Sequence, residues 1–197
     1  MSENISAHYL ADAIKTSNPK MFEPARSNNF RFYVQGLGGL LRAGYQGQES
    51  NAYLPENADE TLEFSVKSVT LPTFSQGVIS IRRGNAVMKA AGLPDFTDGS
   101  LVIDDFIGAD GKSILMAWQN LSYNVNTSMV GYMSDYKRDC YLIEFDPNYK
   151  VIRTWKLFGC WISSIQQDGF DHDSDGKRLI TATVTYDWAK MEMPDEE

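Results

Sequence analysis

The sequence predicts a mainly β body, a sandwich or barrel of antiparallel strands with one flanking α-helix. Three observations carry that expectation. Residues 136–165 read YKRDCYLIEFDPNYKVIRTWKLFGCWISSI, with two runs rich in β-branched and aromatic residues, 140–145 and 151–158, around Asp146-Pro147-Asn148-Tyr149. Proline presets φ for a turn and Asp and Asn bond to nearby backbone, so the stretch predicts a long hairpin. A further apolar run, 160–165, continues past Gly159. Residues 179–188 (LITATVTYDW) alternate strictly, the period of a half-buried strand. Ile114, Leu115, Trp118 and Leu121 fall at helical spacing and would lay one face on a sheet.

The remaining elements follow in chain order. Residues 6–17 suit a short amphipathic helix with Ser6 as N-cap and Tyr9, Leu10, Ala13 and Ile14 on one face. Pro19 and Pro24 then punctuate an extended arm, so residues 1–29 read as helix and arm. The body spans 30–190 and opens on a strand at 30–35 (FRFYVQ). Residues 36–60 carry glycines at 36, 38, 39, 44 and 47 and read as a long loop. Ordinary connections rarely exceed about 12–15 residues without a reason. Leu37, Leu40, Leu41 and Tyr53 give this one apolar anchors, the candidates for an interface with a neighbouring copy.

Strand character resumes at 62–71 and ends at Pro72. Residues 78–82 and 86–90 flank Arg83-Gly84-Asn85, a hairpin signal. Residues 99–106 read as another strand, Asp110-Gly111 introduces the helix, and 123–135 reads as a polar loop. Residues 191–197 read as a frayed acidic tail. On the central hairpin, Tyr141, Ile143 and Phe145 alternate with Cys140, Leu142 and Glu144. Apolar groups on both faces suit a sheet covered on both sides.

A chain of 197 residues suits one domain. Its net charge is −8, with nine acids and three bases after residue 167. That balance argues against affinity driven by phosphate neutralisation. Cys140 and Cys160 are the only cysteines. A hairpin turning near Asn148 sets them four or five residues out of register, beyond disulfide reach, so they read as buried thiols of a reducing compartment. The first ten residues, MSENISAHYL, lack the features of a signal peptide, and the uncharged stretch 113–134 is too polar to span a membrane.

No constellation points to catalysis, and the expectation is a non-enzymatic protein without cofactor or metal. Asp171-His172-Asp173-Ser174-Asp175-Gly176 matches the start of a calcium loop, yet Ala182 stands where the closing glutamate belongs, so an acidic turn is the preferred reading. His8 and His172 have no nucleophile spaced to join them. Asp104 and Asp105 are adjacent on a strand and point to opposite faces. Residues 36–39 lack phosphate-loop spacing. Trp155, Phe158 and Trp161 read as core or interface packing rather than base stacking.

Several spaced segments together resemble the tail tube proteins of contractile-tailed bacteriophages, relatives of pyocin and type VI secretion tubes. They are SVTLP (68–72), AGLPDFTDGSLVIDDF, the Trp118 helix, residues 136–159 and the final YDW. The likeness covers roughly 30–188. It implies a β-sandwich subunit that forms hexameric rings with a continuous inner β-barrel, stacked into a tube through which the genome passes without specific binding. The implied partners are further copies of the chain and the sheath, tape-measure, baseplate and tail-terminator proteins. The implied location is the virion tail, assembled in the host cytoplasm. A baseplate tube-initiating subunit and a secretion-system tube subunit share the resemblance. From a different class, a calcium-binding or ligand-binding β-barrel module using the 171–175 loop stands as the alternative.

Overall fold

The computed structural model describes residues 24–44, 57–108, 110–173 and 175–194. Strand takes 50% and helix 20% of the chain, so the mainly β class holds. At the centre lie β8 (Arg138–Phe145) and β9 (Val151–Gln167). The turn between them is built as the sequence predicts: the Asp146 side chain accepts from the Asn148 and Lys150 amides, each at 2.8 Å.

Strand β9 serves two sheets. Up to Phe158 it lies between β8 and β11 (Trp188–Glu192), and from Trp161 it pairs with β10 (Leu179–Thr185). The change of partner falls at Gly159, whose φ of +65° is open to glycine at little cost. Outside β8 lies β1 (Phe30–Val34), and outside β10 lie β5 (Gly99–Asp104) and then β2 (Val66–Val69). Inward residues of both sheets, among them Phe32, Leu142, Leu157, Leu101, Ile162 and Ile180, form one buried cluster. The outermost strands, β1 and β2, do not pair, so the sheets do not close into a barrel within one subunit.

The predicted helix is α3 (Gly111–Ser122), preceded in the chain by α1 (Leu37–Gly44) and α2 (Ala58–Ser65). Asp110 caps it by accepting from the Ser113 amide at 2.9 Å. Ile114, Leu115 and Trp118 are buried, and the Trp118 indole N–H donates to the Tyr136 carbonyl at 2.7 Å. Burying the ring with its one polar atom satisfied avoids a desolvation cost of about 1–3 kcal/mol.

Several expectations are corrected. Residues 36–60 are not one long loop: α1 (Leu37–Gly44) and α2 (Ala58–Ser65) occupy its two ends. Leu37, Leu40 and Leu41 lie at i, i+3 and i+4, one helix face, and all three are buried in this chain's own core. Their apolar surface is therefore used within the subunit rather than held for a neighbour. Tyr53 lies outside the described residues. Asp59 of α2 accepts from the Gly38 amide at 3.0 Å, joining the two helices at the start of α1. The predicted strand at 62–71 shrinks to β2, because Leu62 turns inward as part of α2. Helix α3 is therefore not the one helix of the body.

The polar stretch after α3 holds two short strands, β6 (Tyr123–Asn124) and β7 (Met129–Val130), and α4 (Met133–Tyr136). The acidic tail begins later than expected, since Met191 and Glu192 pair with Trp155 and Thr154. The register also differs near the cysteines. Cys140 lies opposite Leu157 and Arg138 opposite Cys160, with an irregularity between them, so the two buried thiols meet in the core. Both are free. The expected helix at 6–17 lies outside the described residues.

Candidate assembly surface

Two long strands, β3 (Thr73–Arg83) and β4 (Ala86–Thr97), turn at Gly84-Asn85. The predicted hairpin is present and longer than the sequence suggests. It prolongs the β2–β5 pair: Val69 lies opposite Leu101, the Thr70 amide donates to the Ser100 carbonyl, and Thr73 lies opposite Thr97. At about 3.4 Å per residue the ribbon is roughly 35 Å long. Its root is held by aromatics: Phe74 lies 5.4 Å from Phe96, and Phe96 lies 6.0 Å from Tyr186.

Beyond that root no described residue covers it. Every residue of β3 is exposed, and in β4 only Gly92 and Phe96 are partly covered. Paired residues share a face, so Ile79/Ala90 and Ile81/Met88 form an apolar face while Ser80/Lys89 and Arg82/Val87 form a mixed one. Ile79 is 55% and Met88 61% exposed. A lone two-stranded ribbon is marginal in water, and an exposed apolar strand with free edges invites pairing. The ribbon is thus the feature a single subunit does not explain.

A second patch lies at the opposite end of the same sheet. Gly99 and Val184 mark the ribbon's end, and Asp104 and Leu179 mark the other. There Phe64 and Phe106 meet with ring centroids 6.1 Å apart. Phe64, Phe106, Ile107 and Phe170 are all exposed. The β9–β10 connection, with Asp168, Asp171, Asp173 and Asp175, leaves the sheet at this end. The unpaired edges of β1 and β2 border a cleft of about 1290 Å³, crossed by the bidentate Arg31–Glu63 pair at 2.6 and 2.9 Å. That pairing raises the Arg31 pKa, first through the hydrogen bond and then through the charge of Glu63.

The outer face of the β1–β8–β9–β11 sheet is an aromatic ladder. Tyr33 stacks on Tyr141 at 4.9 Å, and Phe158 stacks on Trp188 at 3.8 Å. Lys156 bridges the stacks, 5.3 Å from the Tyr141 ring and 4.6 Å from the Phe158 ring. Its pKa is raised, chiefly by its hydrogen bond with Tyr141. Of the aromatics singled out from sequence, Trp155 packs against the buried cluster, and Phe158 and Trp161 meet other rings. Trp161 sits edge-on to Tyr136, and the Trp155 indole N–H donates to Glu144 at 3.2 Å.

The other candidates stay apart. Asp104 pairs with Lys177 at 3.9 Å and Asp105 with Arg178 at 3.4 Å. Ala182, where a calcium loop needs its glutamate, is fully buried between Leu101 and Ile165 in neighbouring strands. His172 is exposed and His8 lies outside the described residues. Among the described residues no group of acids, histidines or cysteines is placed to hold a metal ion, and no helix is long and apolar enough to cross a membrane. Sequence reasoning missed the bare ribbon and the Phe64–Phe106 patch. The only signal for them was an excess of apolar strand surface over what one core needs.

No protein-family model matches the chain, and no curated protein matches it in sequence. Solved structures do match in fold. A chain of the sheath–tube complex of an extracellular contractile injection system, PVC, in its extended state is 19% identical over 90% of this chain and 99% of that one, with a TM-score of 0.61. A chain of the anti-feeding prophage tube-terminating cap is 14% identical over 86% and 91%, with a TM-score of 0.60. A chain of the anti-feeding prophage baseplate is 12% identical over 88% and 98%, with a TM-score of 0.58. The mainly β subunit fold expected from the resemblance is thus one this chain shares with components of contractile injection systems.

Proposed function

We propose that the chain is a structural, non-enzymatic subunit of the tube of a contractile tail, polymerising as stacked hexameric rings around a lumen. The observation that carries this is the β3–β4 ribbon, bare on both faces in one subunit and attached to a fold shared with contractile-system assemblies. Ring closure supplies partners for free sheet edges and removes their tendency to pair indiscriminately. In a phage this tube is the conduit for genome delivery, surrounded by sheath and ended by baseplate and terminator. A net charge of −8 repels the phosphate backbone, so a passing genome does not adhere. The non-enzymatic reading is supported by His172, the one described histidine, lying exposed in the acidic turn while Cys140 and Cys160 are buried in the core.

A second reading has an observation in its favour: the matches above come from an extracellular contractile injection system and an anti-feeding prophage. On that reading the lumen carries protein cargo rather than DNA. Negative-stain and cryo-electron microscopy of the purified chain test both. Hollow tubes of six-fold symmetry are expected. A discrete monomer at all concentrations overturns the proposal. Particles purified from the producing cell, analysed for nucleic acid and protein in the lumen, separate the two readings.

A further inference from the structure

Building on the reading of this chain as a self-assembling subunit, we propose that copies join head-to-tail: the β3–β4 ribbon of one copy docks on the opposite end of the next. Its apolar face covers the Phe64–Phe106 patch, and its basic tip meets the acidic β9–β10 connection. The donor and the acceptor lie at opposite ends of one sheet. The ribbon continues the β2–β5 pair past Gly99, while the acceptor surrounds Asp104 and Leu179 at the other end. A contact between different patches at opposite ends is heterologous, and it repeats in one direction without closing on itself as a dimer.

The chemistry of the two ends matches. Between residues 73 and 97 the chain carries Arg82, Arg83 and Lys89 against the single acid Asp95. None of these three cations is in any of the ion pairs among the described residues. The acceptor end carries Asp168, Asp171, Asp173 and Asp175, all four outside those pairs, while its cations Lys177 and Arg178 are paired with Asp104 and Asp105. Ile79, Ile81 and Met88 on the donor have their counterpart in Phe64 at 80%, Ile107 at 108% and Phe170 at 89% exposure on the acceptor. Apolar contact supplies affinity, and the opposed charges set polarity and register. Two like ends repel or leave their charges unpaired, so the same residues that join head to tail reject head to head.

The acidic turn that mimics the start of a calcium loop thereby acquires a role without a metal. A second copy is the occupant because the rest of the chain, without its ribbon, is more acidic than the whole, whereas the ribbon alone is basic.

The test uses the full chain in two charge-reversed variants. One carries Arg82→Glu and Arg83→Glu, the other Asp171→Lys and Asp173→Lys. All four positions are exposed, so circular dichroism and melting temperature should match the parent. Each variant alone should need at least about a tenfold higher concentration than the parent to give pelletable filaments. An equimolar mixture should recover assembly, because every junction in an alternating polymer is then complementary. Filaments from either variant alone at the parent's concentration overturn the contact while leaving the tube reading intact. Failure of the mixture to recover does the same. A parent that forms only a discrete oligomer, lost in each variant and regained in the mixture, supports the contact and removes the tube. A parent that stays monomeric overturns both.

Discussion

Asp187 occupies the space into which a side chain at Gly159 would project. The Asp187 amide also donates to the Phe158 carbonyl at 2.9 Å, and its carboxylate holds Lys137 at 2.6 and 2.8 Å. The link from β10 to β11 thus crosses β9 where that strand passes from one sheet to the other. Trp188, the next residue, stacks on Phe158. The junction of the two sheets depends on one missing Cβ.

Gly159→Ala should therefore destabilise the subunit in two separable ways. The left-handed backbone costs a side chain about 1–2 kcal/mol, and the contact with Asp187 adds a steric cost. Asp187→Ala alone removes a half-exposed ion pair, worth about 0.2–1 kcal/mol. In the double variant the steric part should vanish, so the measured loss should fall short of the sum of the singles. Urea unfolding of all four proteins measures this. Strict additivity would show that Asp187 and residue 159 do not compete for space.

Leu41→Ala should cost about 2–5 kcal/mol, since Leu41 is 1% exposed in the core. Replacing residues 38–54 with a short turn should abolish folding rather than spare it, because Leu40 and Leu41 leave with the segment. A native-like melting temperature in either variant would show that α1 is not part of the core.

These leucines also show where sequence reading stops. The hairpin around Asp146 and the helix around Trp118 were legible because pattern and punctuation agreed: turn residues between β-rich runs, and an N-cap before an amphipathic stripe. Helix α1 had its stripe at Leu37, Leu40 and Leu41, but Gly38, Gly39 and Gly44 within it mimic a loop, and only burial in the common core outweighs their cost. The register at Gly159 was not legible. An irregularity between Arg138 and Cys140 shifts the partners by a step that no local propensity encodes. The same shift brings Cys140 and Cys160 together. At the candidate surface, single-chain patterning marked Arg83-Gly84-Asn85 as a turn. It carried nothing to say that both faces of the ribbon stay bare.

Burial holds the Cys140 thiol well above the ordinary thiol range, and its contact with Cys160 pushes it further the same way. A group whose folded pKa is raised binds its proton more tightly folded than unfolded. Its stabilising contribution is complete below the unfolded thiol value, about 8.5, and declines as pH rises past it. The unfolding midpoint in urea should fall above that pH, and Cys140→Ala should flatten the decline while lowering stability overall. A thiol-specific chromogenic reagent at pH 8 should leave the native chain unlabelled and modify both cysteines once it is denatured. Rapid labelling of the native chain would place the thiols at the surface.

The ribbon should be dispensable for folding and indispensable for assembly. Residues 76–94 bury almost nothing in the subunit, since every one but Gly92 is exposed. Removing them therefore forfeits little of the apolar burial that stabilises the body, at about 25 cal/mol per Å². The root remains intact if an Asn-Gly turn joins Ser75 to Asp95, which already face each other across the ladder, because Phe74, Phe96 and Tyr186 keep their contacts. Asn-Gly suits the two-residue turn such a short hairpin needs. The shortened chain should keep the parent's circular dichroism and melt within about 0.5 kcal/mol of it. It should also be more soluble as a single subunit, having lost Ile79, Ile81 and Met88 from its surface. In micrographs the parent should give filaments and the shortened chain none at any concentration tested. Filaments of normal diameter from the shortened chain would remove the ribbon from the assembly and return the search for the interface to the unpaired edges of β1 and β2.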